Sequence, residues 1–96
     1  MPTQYLIQKL FTLIDEMDAP GETKQQVSQL SSEVQALIQQ IQAEEPKEAV
    51  CNSMLLGIAI AAKEGNKAGA AHAYESYLRC MEKPRPKWTG NYLNPK

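Results

Sequence analysis

The sequence predicts an all-α protein: two antiparallel helical hairpins forming a four-helix bundle, with an extended C-terminal tail. Three observations predict it. Residues 3–18 and 24–43 each carry apolar side chains at steps of three and four, the period of one helix face. Pro20-Gly21 and Gly65-Asn66 place turns that divide the helical segments into pairs. The closing stretch KPRPKWTGNYLNPK, residues 83–96, differs from everything before it: it holds half of the prolines, the only tryptophan and four basic residues, with no acidic one. The expected division is a helical bundle domain over 1–83 and a basic, aromatic tail over 84–96.

In the first helix, Leu6, Leu10, Leu13 and Met17 form one apolar row, and Ile7, Phe11 and Ile14 a second beside it. Together they make a stripe wide enough to face a core. Pro2 sits where a helix start tolerates proline. Asp15, Glu16 and Asp18 crowd the C-terminal end, where the helix dipole disfavours negative charge, so fraying is expected there. APGE (19–22) is a turn, and Thr23 with Gln26 fits a capping box. The second helix, about 24–43, carries Val27, Leu30, Val34, Leu37 and Ile41 in strict three-four alternation, with Ile38 beside them, amid glutamine, serine and glutamate. This is a narrow seam of coiled-coil type. The short turn makes an antiparallel hairpin with the first helix the simplest arrangement.

Pro46 opens the third helix, with acids around the positive end of its dipole. From Val50 to Ala62 the segment is apolar nearly all round, through Val50, Cys51, Met54, Leu55, Leu56, Ile58 and Ile60. A helix without a polar face must be covered on more than one side, so it is expected to be the central helix of the fold. Gly65 suits a left-handed cap and Asn66 the start of the next helix. The fourth helix is expected to run to about Lys83, with Ala70, Tyr74, Tyr77, Leu78 and Met81 inward. Pro84 ends it, leaving an extended chain. All nine glutamines lie at or before position 42, whereas alanine and glycine dominate 49–73. Small side chains let helices three and four approach closely.

Leu56-Gly57, Ile60, Gly65, Ala70, Tyr74 and Leu78 follow the order of large, small and aromatic positions in a tetratricopeptide-type helix pair, which this hairpin resembles. The match covers about a third of the chain and one repeat, where such arrays need about three or more. It reads as a shared packing solution rather than membership.

The longest apolar run, residues 54–62, falls short of the ~20 residues that span a bilayer. The N-terminus lacks the basic start and small-residue cleavage site of a signal peptide. The expectation is a cytosolic protein without membrane contact. Two cysteines in such a chain favour reduced thiols packed as small apolar groups. The hairpin register nevertheless puts Cys51 and Cys80 level on facing helices, which keeps a disulfide as the alternative and makes a metal site the least favoured reading. His72 falls opposite Ala59 in that register, away from the cysteines, and is read as structural or exposed.

The net charge of −1 conceals a body of −5 (residues 1–82) and a tail of +4 (83–96). No glycine-rich phosphate loop, HExxH pattern, calcium-loop order or recognisable carboxylate pair is present, so neither enzyme activity nor a cofactor is expected. Three readings of the tail compete. It folds back with Trp88 packed on the acidic bundle; it docks another protein through Trp88 and Tyr92; or it contacts nucleic acid, with Arg85 and Lys87 on phosphates and an aromatic stacking on bases. The acidic body disfavours the last. The surplus of apolar surface around Leu56 and Ile60 marks a further interface. The expected function is a small, non-enzymatic interaction protein of adaptor, regulator or inhibitor type. It would bind a protein partner, or a second copy as a homodimer, through Leu56, Ile60, Arg85, Lys87, Trp88 and Tyr92. A nucleic-acid accessory protein is the alternative, and a bacteriocin-immunity type of four-helix protein a third by size and helix count.

Overall fold

The computed structural model describes residues 2–17 and 24–88, and among these the chain is all-helical without strands. The elements are α1 (Pro2–Asp15), α2 (Lys24–Glu44), a 3-10 turn (Pro46–Glu48), α3 (Ala49–Asn52), α4 (Leu55–Lys63) and α5 (Lys67–Cys80). Helices α1, α2, α4 and α5 each pack against two of the others, in the cyclic order α1, α2, α4, α5. The core fills the space they surround.

Most of the periodic rows of the first two helices face the core, with Phe11 and Leu30 partly buried at its edge and Val27 half-buried outside it. Leu6, Ile7, Leu10, Leu13, Ile14 and Met17 are buried, and they meet Val34, Leu37, Ile38 and Ile41 of α2 in one core. Helix α1 stops at Asp15, inside the acidic cluster. The conflict between that cluster and the helix dipole is resolved across the molecule. Buried Lys67 sends its Nζ to the Asp15 carbonyl at 2.7 Å and stands 3.3 Å from Oδ1 of the same residue. One cation thus satisfies both a terminal carbonyl and a carboxylate. The turn expected at 19–22 and the Thr23 half of the capping box lie outside the described residues.

The expected third helix is corrected in two respects. First, it is three pieces rather than one. The Ser53 hydroxyl donates to the Val50 carbonyl at 2.6 Å. Around it the backbone bonds tighten, Met54 N to Cys51 O and Gly57 N to Met54 O. A serine hydroxyl competing for helix carbonyls in this way interrupts a helix without proline or glycine. Second, the segment is not covered all round. Its inward stripe is Cys51, Leu55, Ile58, Ala61 and Ala62. The helices packed most extensively on α4, α2 and α5, lie on that side, and among the described residues no helix covers the other. Val50, Leu56 and Ile60 therefore face outward, Val50 being 77 % exposed.

The close approach of α4 and α5 is real. A Cβ on Gly57 would stand 3.3 Å from that of Ala73, so the two backbones meet where both side chains are minimal. Gly65 adopts φ +72°. Asn66 N bonds Ala61 O and Gly65 N bonds Ala62 O, the paired bonds of a Schellman turn. The Asn66 side chain then accepts from Gly69 N at 3.0 Å, capping α5. Helix α5 ends at Cys80, short of the expected Lys83, in a second turn of the same kind: Lys83 N bonds Leu78 O and Glu82 N bonds Arg79 O. Here the left-handed residue is Glu82, at φ 58°.

Candidate functional site

Two surfaces gather the residues singled out in the sequence. The first is the outer flank of α4. Leu56 and Ile60 stand one turn apart on the same helix face and are 55 % and 61 % exposed. Gly57 is exposed between them and Lys63 continues the strip one turn on. This flank presents two large aliphatic side chains one turn apart, while the side-chain direction of Gly57 faces Ala73 of α5.

The second is the C-terminal segment. Residues 83–88 have no regular secondary structure and lie across α1 and α5. Trp88 is half-buried. Its ring centroid is 4.8 Å from that of Phe11 and 5.6 Å from that of Tyr74, the latter edge-on at 77°. The indole N–H donates to Oε2 of Glu75 at 2.7 Å. The same oxygen accepts from Arg85 Nε at 3.0 Å. Glu75 itself is buried, and two donors on one carboxylate oxygen offset the desolvation of its charge. Lys83 adds an outer tie, donating from Nζ to Gln4 Oε1 at 3.0 Å. Among the three readings of the tail, the folded-back one describes residues 83–88. Tyr92 lies outside the described residues.

The cysteines correct the expectation of reduced thiols. Cys51 and Cys80 form a disulfide with their Cα atoms 5.5 Å apart, and it joins α3 to the C-terminal end of α5. The register that places them level agrees with this pairing, and the expected reduced state does not. His72 is exposed on α5. Among the described residues no group of three or more His, Cys, Asp and Glu side chains could hold a metal ion, and no helix is long and apolar enough to cross a membrane.

Sequence reasoning missed the polar groups that the core encloses. Tyr74 donates its hydroxyl to the Ile7 carbonyl at 2.9 Å, and burial, with the nearby Tyr77 charge adding to it, raises its pKa well above the ordinary phenol value. Tyr77 is fully buried with its hydroxyl unpartnered; burial first, then Glu45 and Glu48, push its pKa up to about 12. Beside the 3-10 turn, Thr3 donates to Glu45 Oε2 at 3.0 Å and Asn52 Nδ2 to the Glu45 carbonyl at 2.9 Å. These groups hold elements together. Glu75 could have been suspected from the sequence as the acid between two inward tyrosines; Phe11 and Asp15 carried no signal for their distant partners.

Comparison of the chain with protein-family models, with curated proteins and with solved structures found no match.

Proposed function

We propose that the protein is a non-enzymatic interaction protein that docks a protein partner on the outer flank of α4, through Leu56 and Ile60. The observation that carries this reading is two large aliphatic side chains, each more than half exposed, one turn apart on a helix whose opposite face builds the core. Such paired exposure on one helix face is the pattern of a helix-mediated interface rather than of scattered surface residues. The architecture that goes with it is a four-helix bundle of two antiparallel hairpins, α1 with α2 and α4 with α5, supported by the cyclic packing order and by the pairings Cys51–Cys80 and Gly57–Ala73.

A second copy of the chain is the simplest occupant to test, since a self-complementary flank gives a twofold dimer. Light scattering of the full chain, with a photo-crosslinking side chain at position 56, tests both a homodimer and another protein partner. The expected result is a dimer or a specific crosslinked complex that Ile60→Glu abolishes. A monomer at every concentration, with no crosslink sensitive to Ile60→Glu, removes the proposal.

The tail contributes to binding in a narrower way than its composition suggests. Trp88 and Arg85 are engaged with Phe11, Tyr74 and Glu75, and Lys83 donates to Gln4, which leaves Lys87 as the cation of residues 83–88 without such a contact among the described residues. The nucleic-acid alternative has the charges of Lys83 and Lys87 behind it and the engagement of Trp88 and Arg85 against it. The immunity-type alternative rests on size and helix count. The cytosolic location expected from the N-terminal sequence has the cystine against it, since disulfides persist in oxidising compartments and are rare in reducing ones.

A further inference from the structure

Exposed charges of opposite sign stand near the two ends of the α4 flank. Glu64 follows Ile60 by one turn and keeps helical backbone angles, φ −86° and ψ −6°, with its side chain exposed. It shares a row with Gly57, seven residues earlier, and that row faces α5. The outer row of α5 carries His72, Ser76 and Arg79, while the residues beside α4 are the small Gly69 and Ala73. Arg79 is exposed, and its Nη2 donates to Ser76 Oγ at 3.3 Å. Neither Glu64 nor Arg79 has an ion-pair partner among the described residues. Their heights match. Gly57 and Ala73 are level, and the Cys51–Cys80 and Gly57–Ala73 contacts support α4 and α5 running antiparallel. At ~1.5 Å per residue, Glu64 stands ~9 Å from the level of Ile58 toward one end of α4, and Arg79 ~10 Å toward the other.

We propose that the α4 flank docks a second copy of this chain, the two α4 helices antiparallel about a twofold axis that passes between Leu56 and Ile60. Such an axis, lying in the contact plane across α4, exchanges the two ends and lays α5 of one copy along α5 of the other. Each Glu64 then meets the partner's Arg79, so the pair forms twice per dimer. Leu56 packs on the partner's Ile60, which removes both exposed side chains from water. Antiparallel α4 helices also oppose their dipoles, whereas parallel ones would set like ends side by side. This inference rests on the α4 reading and deepens it by naming the partner and its orientation.

The experiment is light scattering of the full chain over a concentration series, with a photo-crosslinking side chain at position 56 and the attachment point located by mass spectrometry. The expected result is a dimer whose crosslink from position 56 reaches the partner at Ile60 or its neighbours. Glu64→Arg and Arg79→Glu each turn two pairs per dimer from attraction to repulsion, so each should weaken the dimer by about tenfold. Mixing the two variants should restore it, because their heterodimer sets opposite charges at both contacts. Both positions are exposed, and circular dichroism checks that each variant stays helical. Arg79→Gln, a milder change at the same position, should weaken the dimer by about threefold. A monomer at every concentration overturns the inference. If position 56 then crosslinks a different protein in a manner sensitive to Ile60→Glu, the α4 reading survives; if nothing crosslinks, both fall. A dimer indifferent to the charge variants overturns the inference and leaves the α4 reading standing. So does a crosslink from position 56 to position 56 with Lys63→Glu rescuing Glu64→Arg, which is the parallel arrangement.

Discussion

The indole nitrogen of Trp88 donates to Oε2 of Glu75, thirteen residues earlier, at 2.7 Å, and this bond places a tail residue inside the aromatic cluster of the body. The bond has a charged acceptor in a buried position, the setting in which a single hydrogen bond contributes most. Trp88→Ala removes the bond and the contacts with Phe11 and Tyr74 together. The expected loss is about 2 kcal/mol, read from urea unfolding. Glu75→Gln keeps an oxygen acceptor for one donor and should lose about half as much. If Trp88→Ala unfolds at the wild-type midpoint, the segment is not held as described.

Lys67 and Asp15 form the second long-range polar tie. Asp15→Asn removes the carboxylate that stands 3.3 Å from the buried Lys67 ammonium, and weakening the counter-charge of a buried cation is costly. Asp15→Asn should therefore destabilise by about 2 kcal/mol or more. Lys67→Met, which leaves only a half-buried carboxylate that water can reach, should be the milder change. The reverse order in thermal denaturation would contradict the geometry.

Reduction of Cys51–Cys80 reopens a loop of sequence separation 29 in the unfolded chain. Chain-entropy reasoning puts the loss at roughly 3–4 kcal/mol. A melting curve with and without dithiothreitol should show a drop of several degrees or more. Thiol quantitation of the native, unreduced protein should find none free.

The two buried tyrosines separate a satisfied hydroxyl from an unsatisfied one. Tyr74→Phe loses the bond to the Ile7 carbonyl and should be destabilised by about 1 kcal/mol, whereas Tyr77→Phe removes a hydroxyl without a partner and should be neutral or stabilising. Both phenols have folded-state pKa values raised above that of the unfolded chain, so the folded state holds their protons more tightly. This contribution is complete below about pH 10; the Tyr77 part is lost as pH rises from there through about 12, and the Tyr74 part only at still higher pH. Urea midpoints should fall over that alkaline window, and less steeply in Tyr77→Phe.

Glu82 holds a left-handed position that glycine occupies at lower cost. Glu82→Gly should stabilise the protein by about 1 kcal/mol, measured by the same unfolding experiment, provided the turn into the tail is formed as seen.

The helical character and the inward rows of α1 and α2 were legible because each is an unbroken periodic pattern with polar residues between. The Gly65-Asn66 turn was legible because both residues have specific backbone roles there. The break at Ser53 was not: Ala49 to Leu56 contains neither proline nor glycine, and the hydroxyl that interrupts the helix also suits an exposed helical position. Covering of Leu56 and Ile60 was misjudged for a related reason. Hydrophobicity states what a helix would prefer to meet, but the number of neighbours is set by how much chain there is. The cystine pairing followed from register, while its oxidation state hinged on a compartment inferred from one terminus. Glu75 escaped notice because its two donors come from the tail, and the ties Asp15–Lys67 and Phe11–Trp88 span stretches over which no local pattern operates.

The Phe11–Trp88 contact also has a meaning for synthesis. Trp88 leaves the ribosome after Phe11 and after the whole of α5. Until that late segment emerges, the aromatic floor formed by α1 and α5 has no lid, and a nascent chain carries an open greasy trough. A chaperone that recognises such a trough would find it only before translation passes the tryptophan, and the arrival of residue 88 would end that opportunity.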